Sequence, residues 1–426
     1  MQDLNLYHKR VLTNGLTVLA VPLENAASIT MSVFIKVGSR YEEAKLNGIS
    51  HFLEHLHFKG SKKYPTAKKL SEVIDEVGGD FNANTGKEHT QYYIRTAYEH
   101  LPLVVEVLTD MIQNPLFEER EIQREKGVII EEINMYKDNP QMQVESIFEE
   151  TLWPDTSLGR DIAGNAEIIR AITKKDIINY RNTFYQPSNI IIAISGKFDL
   201  DKLNQYIDNF WGHLPNKKTP NYQALTNKNN SQKVNLQTKE TEQAHMIVGF
   251  KAYPYGHKNN DALKILTSIL GGGMSSRLFT RIRERLGLAY YVSASYNNYR
   301  DAGNFLIQSG LKVSSAPKAL EVIMEELRKI RNNSISASEI KKAKEYIKGK
   351  IALALEDPHD KLEWYLGQEA FLGKITTIKQ RFERIDKVTI EEVSAVAHDI
   401  IKPEALNVAI IGPFKDRDQF EKKINL

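Results

Sequence analysis

Two stretches of this chain, about 200 residues apart, follow one plan: "FYQPSNIIIAISGKFD" (184–199) and "IIKPEALNVAIIGPFK" (400–415). In both, a proline precedes a β-branched run by a few residues, and a Gly-x-Phe turn closes the run at the same spacing. Glu121, Ile122 and Pro140 recur as Glu339, Ile340 and Pro358 at a similar offset, with "KDNP" matched by "LEDP". Duplication of one unit explains these matches, and it requires each half to build its own layers of secondary structure. A chain of 426 residues is too long for one ordinary core and suits two domains.

Turns and periodicity fill in the halves. "LTVLAVP" and "ASITMSVFIKVGSR" read as strands, as do "YYIRTAY" and "NIIIAISG". Helices are expected over 66–77, 97–113, 119–137 and 173–184, which gives an α+β class with a mixed sheet. The second half runs from "AHMIVGFKAYP" to "NVAIIGPF". Between the halves, "HLPNKKTPNYQALTNKNNSQK" has no apolar period and is rich in Asn, Lys and Pro, as linkers are. The expected division is therefore 1–212, a linker over 213–233, and 234–426.

Chemistry concentrates in "HFLEHLHFKG" (51–60), which holds three of the chain's 11 histidines. Ile49, Phe52, Leu53 and Leu56 recur with a helical period, so they form a core-facing stripe and leave His51, Glu54 and His55 together on another face, with His57 outside that group. Two imidazoles one turn apart can hold one zinc ion, and a glutamate between them can take a proton from a water that the ion activates. The order H-x-x-E-H is a zinc-peptidase pattern; a solvated face carrying chance histidines is the competing explanation.

A catalytic zinc site needs a third protein ligand, most often a carboxylate beside two histidines. "EREIQREKGVIIEEINMYK" (119–137) reads as a long helix with Ile122, Ile129, Ile133 and Tyr136 on one stripe. Glu131 projects away from that stripe. Glu132 borders it, shares its face with Glu125 two turns earlier, and is the better ligand. The second half has nothing comparable: the segment corresponding to the histidine helix is "LTSILGGGMSSR", and Lys350 stands where Glu132 would. That half cannot bind the same metal. Its three successive glycines read as a helix-end turn or a mobile flap rather than a phosphate loop, because the Gly-Lys-Ser/Thr ending is missing.

Taken together, these segments resemble the zinc metallopeptidases of the pitrilysin superfamily, most closely the branch that includes the mitochondrial processing peptidase. "GISHFLEHLHFKGSKKYPT" is similar to the family's zinc helix and "EKGVIIEEINMYKDNP" to its glutamate helix. "GGDFNANTGKEHTQYY" (78–93) is similar to the strand lining its substrate cleft, and "RERLGLAYYVSASY" (283–296) to the segment carrying an arginine and a tyrosine that reach substrate. The resemblance implies two homologous αβ-roll halves, each a mostly antiparallel sheet covered by helices, facing each other around a cleft. It implies one Zn2+ per chain on His51, His55 and Glu132, water at the fourth position, and Glu54 as general base. It further implies that Glu125 orients a ligating histidine, that Asn82 and Ala83 lie on a strand that pairs with substrate backbone, and that Arg283 and Tyr290 touch substrate. On spacing alone, a helix-surface arginine and a tyrosine packed at a strand start are the better explanation of the last pair, and only the resemblance lifts Arg283 and Tyr290 above it. Chains of this branch commonly pair, so a homodimer is expected.

Composition narrows the alternatives. Apolar residues at 41% and charged ones at 26% describe a globular protein, and 57 Lys plus Arg against 54 Asp plus Glu give no global field to recruit nucleic acid. The chain has no cysteine, which excludes disulfides, thiolate ligands and a cysteine nucleophile. No run approaches the length of a membrane span, and "MQDLNLYHKRVLTNGL" lacks a basic stretch followed by an apolar one. A cytoplasmic location is expected, or a periplasmic one if a signal has been removed. The reading is a zinc endopeptidase acting on peptides or unfolded segments; the alternatives are a non-catalytic partner subunit of the same fold and a zinc-dependent peptide-binding module.

Overall fold

Strands β1 (His8–Val11), β2 (Thr17–Pro22), β3 (Ser28–Ile35), β4 (Asp80–Thr85), β5 (Thr90–Ala97) and β6 (Ile190–Gly196) form a sheet in the order β1-β2-β6-β3-β5-β4. Strands β7 (Lys233–Thr238), β8 (Gln243–Ala252), β9 (Ala289–Asn298), β10 (Gly303–Lys312) and β11 (Asn407–Gly412) form a second, in the order β7-β11-β8-β10-β9. Without β1 the two orders correspond strand for strand. Each sheet has one parallel pair, β2 with β6 and β7 with β11, and is otherwise antiparallel. The structure, a computed structural model, describes residues 7–225, 233–332 and 334–424.

In the first unit, side chains alternate between two buried faces. Val18 and Ala20, Ile29, Met31 and Val33, and Ile190, Ile192 and Ile194 enter the main core, packed under the helices Ile49–His57, Leu101–Gln113 and Glu119–Asp138. Their neighbours Leu19, Val21, Phe34, Ile191 and Ala193 face the other way, where Leu362, Tyr365, Leu366 and Ala370 of helix Pro358–Leu372 cover them. Burial on both faces is why these strands read as unbroken apolar runs.

That covering helix comes from the far half of the sequence, and the borrowing is mutual. The compact units are 1–134 with 160–223 and 353–375, and 135–159 with 224–352 and 376–426. They therefore differ from the two contiguous stretches expected, 1–212 and 234–426. Helix Pro140–Leu152 packs Val144, Phe148 and Leu152 on Ile247, Ala409 and Ile411 of the second sheet. A polar contact is duplicated along with the helices: Gln91 donates to Glu363 at 2.6 Å in the first unit, and Gln308 to Glu145 at 3.0 Å in the second.

Local differences from the sequence reading have simple causes. The helix expected over 97–113 begins at Leu101, because β5 runs on to Ala97 and a short 3-10 turn follows. Strand β1 was not foreseen; its residues are largely exposed and lack an apolar period. Residues 214–225 of the expected linker take no regular structure, and 226–232 lie outside the described residues. Helix Asn260–Gly271 stops at the glycine run, which makes a helix-end turn.

The β4–β5 hairpin is anchored to the segment after β3. Ser39 and Arg40 donate backbone N–H groups to the carbonyls of Gly86 and Lys87 at 3.2 and 2.8 Å, and a Cβ on Gly38 would meet the Gly86 oxygen at 2.2 Å. His89 closes the hairpin, stacked on Phe34 with ring centroids 5.1 Å apart and with Nε2 2.9 Å from Asn84 Oδ1. Burial lowers its pKa from 6.5 to about 4. The folded value lies below the unfolded one, so between those pH values the unfolded chain binds more protons and stability falls as pH drops, by at most about 3 kcal/mol. His89→Gln is expected to flatten this part of the acid limb, seen as a smaller difference between urea midpoints at pH 7 and pH 4.5; an unchanged difference would refute the assignment.

Candidate metal centre

Helix Ile49–His57 starts at Gly48, whose φ of 99° suits glycine and whose lack of a side chain leaves the first turn uncapped from within. Glu42 supplies the cap. This buried carboxyl accepts from Gly48 N at 2.7 Å, Ser50 N at 2.8 Å and Asn47 Nδ2 at 2.9 Å, which satisfies N–H groups of the first turn; burial raises its pKa, and these hydrogen bonds offset only part of that. Ile49, Phe52, Leu53 and Leu56 are buried, as their spacing predicts. His57 is also buried. Its Nδ1 is 2.8 Å from Leu53 O, and its ring stacks on Tyr185; burial holds its pKa down at about 3, so it is a neutral packing residue.

Helix Glu119–Asp138 buries Ile122, Ile129 and Ile133, with Glu131 exposed and Glu132 at the border. This brings Glu132 to the histidines. His51 Nε2 and His55 Nε2 lie 3.2 Å apart; His51 Nε2 is 3.7 Å from Glu132 Oε1 and His55 Nε2 is 3.4 Å from Glu132 Oε2. One donor atom from each residue falls within 4.8 Å of the others, and no other group of this kind occurs among the described residues. For a tetrahedral zinc with Zn–N near 2.05 Å, the ligand-to-ligand edge is about 3.3 Å; the 3.2 Å between the two Nε2 atoms matches it, and the two-nitrogen, one-carboxylate donor set suits that ion.

Their surroundings act on the two histidines in opposite directions. Burial, then the neighbouring His55, lowers the pKa of His51 to about 4. Burial also disfavours charged His55, but the hydrogen bond and charge of Glu125, with Glu132 and Glu54, outweigh it and raise its pKa. Glu125 is buried rather than a surface acid: Oε1 lies 2.9 Å from His55 Nδ1 and Oε2 2.9 Å from Lys59 Nζ. An imidazole whose Nδ1–H is donated to a carboxylate presents its Nε2 lone pair to a metal.

Glu54 is buried on the same helix, and burial raises its pKa; Thr85 at the end of β4 donates its hydroxyl to Oε2. β4 is an edge strand. Its pattern exposes Asn82 and Asn84 and half-buries Phe81, Ala83 and Thr85, and the Asn82 side chain accepts from Ala83 N at 2.8 Å. Arg283, on the π-helix Phe279–Arg285, and Tyr290, at the start of β9, are exposed residues of the second unit. There, helix Ala337–Ala354 carries Ala343 and Lys350 where Glu125 and Glu132 stand in the first. Sequence reading missed Glu42, Lys59 and Thr85. Lys59 had a signal, one turn beyond His55; Glu42 and Thr85 reach the helix by tertiary contact alone.

Comparison with known proteins agrees with this division. Residues 17–166 match the family model described as insulinase, peptidase family M16, and residues 171–347 match that of the M16 inactive domain. An uncharacterized zinc protease of Bacillus subtilis is 33% identical over 406 residues, covering 94% of this chain and 97% of its own. One of Rickettsia felis is 34% identical over 408 residues, covering 94% and 96%. The crystal structure of a protease from Helicobacter pylori superposes with a TM-score of 0.89 at 24% identity, over 96% of this chain and 100% of that one. A Pseudomonas fluorescens structure titled as a peptidase M16 inactive domain gives 0.87 at 16%, over 96% and 98%. A histidine-and-glutamate cluster in one half, none among the described residues of the other, and these matches along both place the chain in peptidase family M16.

Proposed function

We propose that this protein is a zinc-dependent endopeptidase that hydrolyses peptides or unfolded polypeptide segments. The observation that carries the reading is the convergence of His51, His55 and Glu132 donor atoms beside a buried Glu54. Zinc bound there would supply a Lewis acid for the scissile carbonyl and lower the pKa of a water. Glu54 takes the proton. Thr85 occupies its Oε2, leaving Oε1 to receive that proton and pass it to the leaving amine.

The edge of β4 at Asn82 and Ala83 is the place for an extended peptide to add by main-chain hydrogen bonds, which bind many sequences with little discrimination. Contact of Arg283 and Tyr290 with substrate, one zinc per chain and a homodimer belong to the same proposal. Among the described residues no helix is long and apolar enough to cross a membrane.

The test is turnover of a quenched fluorescent peptide before and after chelation, followed by zinc add-back. Loss of cleavage on chelation and return at one zinc per chain are expected. Turnover indifferent to the chelator would overturn the reading.

A further inference from the structure

The histidine helix ends at His57, and two residues later Lys59 points its ammonium at the carboxylate behind the metal ligands. Glu125 has two oxygens and two partners. Lys59 Nζ lies 2.9 Å from Oε2 and His55 Nδ1 lies 2.9 Å from Oε1, while the Glu125 side chain is only 2% exposed. With almost no water to complete its coordination, the orientation of this carboxylate depends on what holds the far oxygen.

We infer that Lys59 is a positioning residue for the metal centre: by occupying Glu125 Oε2 it aims Oε1 at His55 Nδ1, and so presents His55 Nε2 to zinc. The inference rests on the proposed zinc reading and deepens it. A plain structural ion pair tying the helix end to Glu119–Asp138 would make a different prediction, since it would affect unfolding and leave the metal untouched.

The experiment is zinc affinity of the full chain, measured by competition with a chromophoric chelator, for the parent, Lys59→Met, Lys59→Arg, Glu125→Gln and the Lys59→Met/Glu125→Gln double variant. Groups that orient a ligand change metal affinity by about 10–100-fold. Lys59→Met is expected to weaken zinc by about tenfold, Lys59→Arg to restore most of it, and the double variant to bind no worse than Glu125→Gln, because Lys59 acts through that carboxylate. Chemical unfolding of the metal-free proteins is run alongside, with Lys59→Gln as a second truncation should the methionine form fold poorly. A parent that binds zinc while Lys59→Met and Lys59→Gln bind it equally well, or a double variant in which the losses add in full, overturns the inference. A parent that fails to bind zinc overturns the zinc reading itself.

Discussion

Zinc-loaded Glu54→Gln protein is expected to keep its fold and metal while kcat on a flexible peptide falls by about 10^2–10^4, the range for loss of a general acid–base group. The amide is nearly isosteric and still accepts the Thr85 hydroxyl, but it cannot take a proton. Glu54 is not among the three converging donors, so zinc content should match the parent's. The metal-free variant should be no less stable than its parent, because the substitution removes a carboxylate whose ionised form burial disfavours. Metal analysis beside single-turnover cleavage checks both parts. Undiminished turnover would remove Glu54 from the reaction, and a parent that binds zinc yet cleaves no flexible peptide would favour the peptide-binding or partner-subunit alternatives.

The second large effect concerns stability. Arg40 and Glu88 form an ion pair with Nη1 2.5 Å from Oε1 and side chains 0% and 3% exposed. Arg40→Met leaves the Glu88 charge enclosed, and breaking such a pair from one side costs about 3–5 kcal/mol. In a unit of this size that is a fall in Tm on the order of 10 °C. The Arg40→Met/Glu88→Met variant should recover much of the loss, since exchanging a buried pair for apolar groups is often close to neutral. Calorimetry of the three proteins checks this; a single variant as stable as its parent would sink the argument. The pair also fastens the hairpin that ends β4 at Thr85, so Arg40→Met should slow cleavage as well.

Much of the candidate site was legible because its information is local. The faces of Ile49–His57 and Glu119–Asp138 follow from helical spacing, and that spacing already separated Glu132 from Glu131. The alternation in "DFNANT" likewise gave the two sides of β4. What could not be read depends on partners far along the chain. His57 lay outside the apolar stripe, yet Tyr92 and Tyr185 bury it; Glu125 passed equally well for a surface acid until Lys59 and His55 enclosed it. The mutual borrowing of helices was invisible for the same reason. Val144, Phe148 and Leu152 mark an apolar face, as Leu362, Leu366 and Ala370 do, but neither trio names the sheet it covers.

That borrowing sets a timetable for synthesis. Leu19, Val21, Phe34, Ile191 and Ala193 are all made by residue 193, yet their cover ends at Leu372. At ~5–20 residues per second, an apolar sheet face waits on the order of 10–30 s for a helix still inside or behind the ribosome. The first unit therefore cannot complete its fold during translation of its own half, and over that interval the nascent chain presents the sort of surface that chaperones hold.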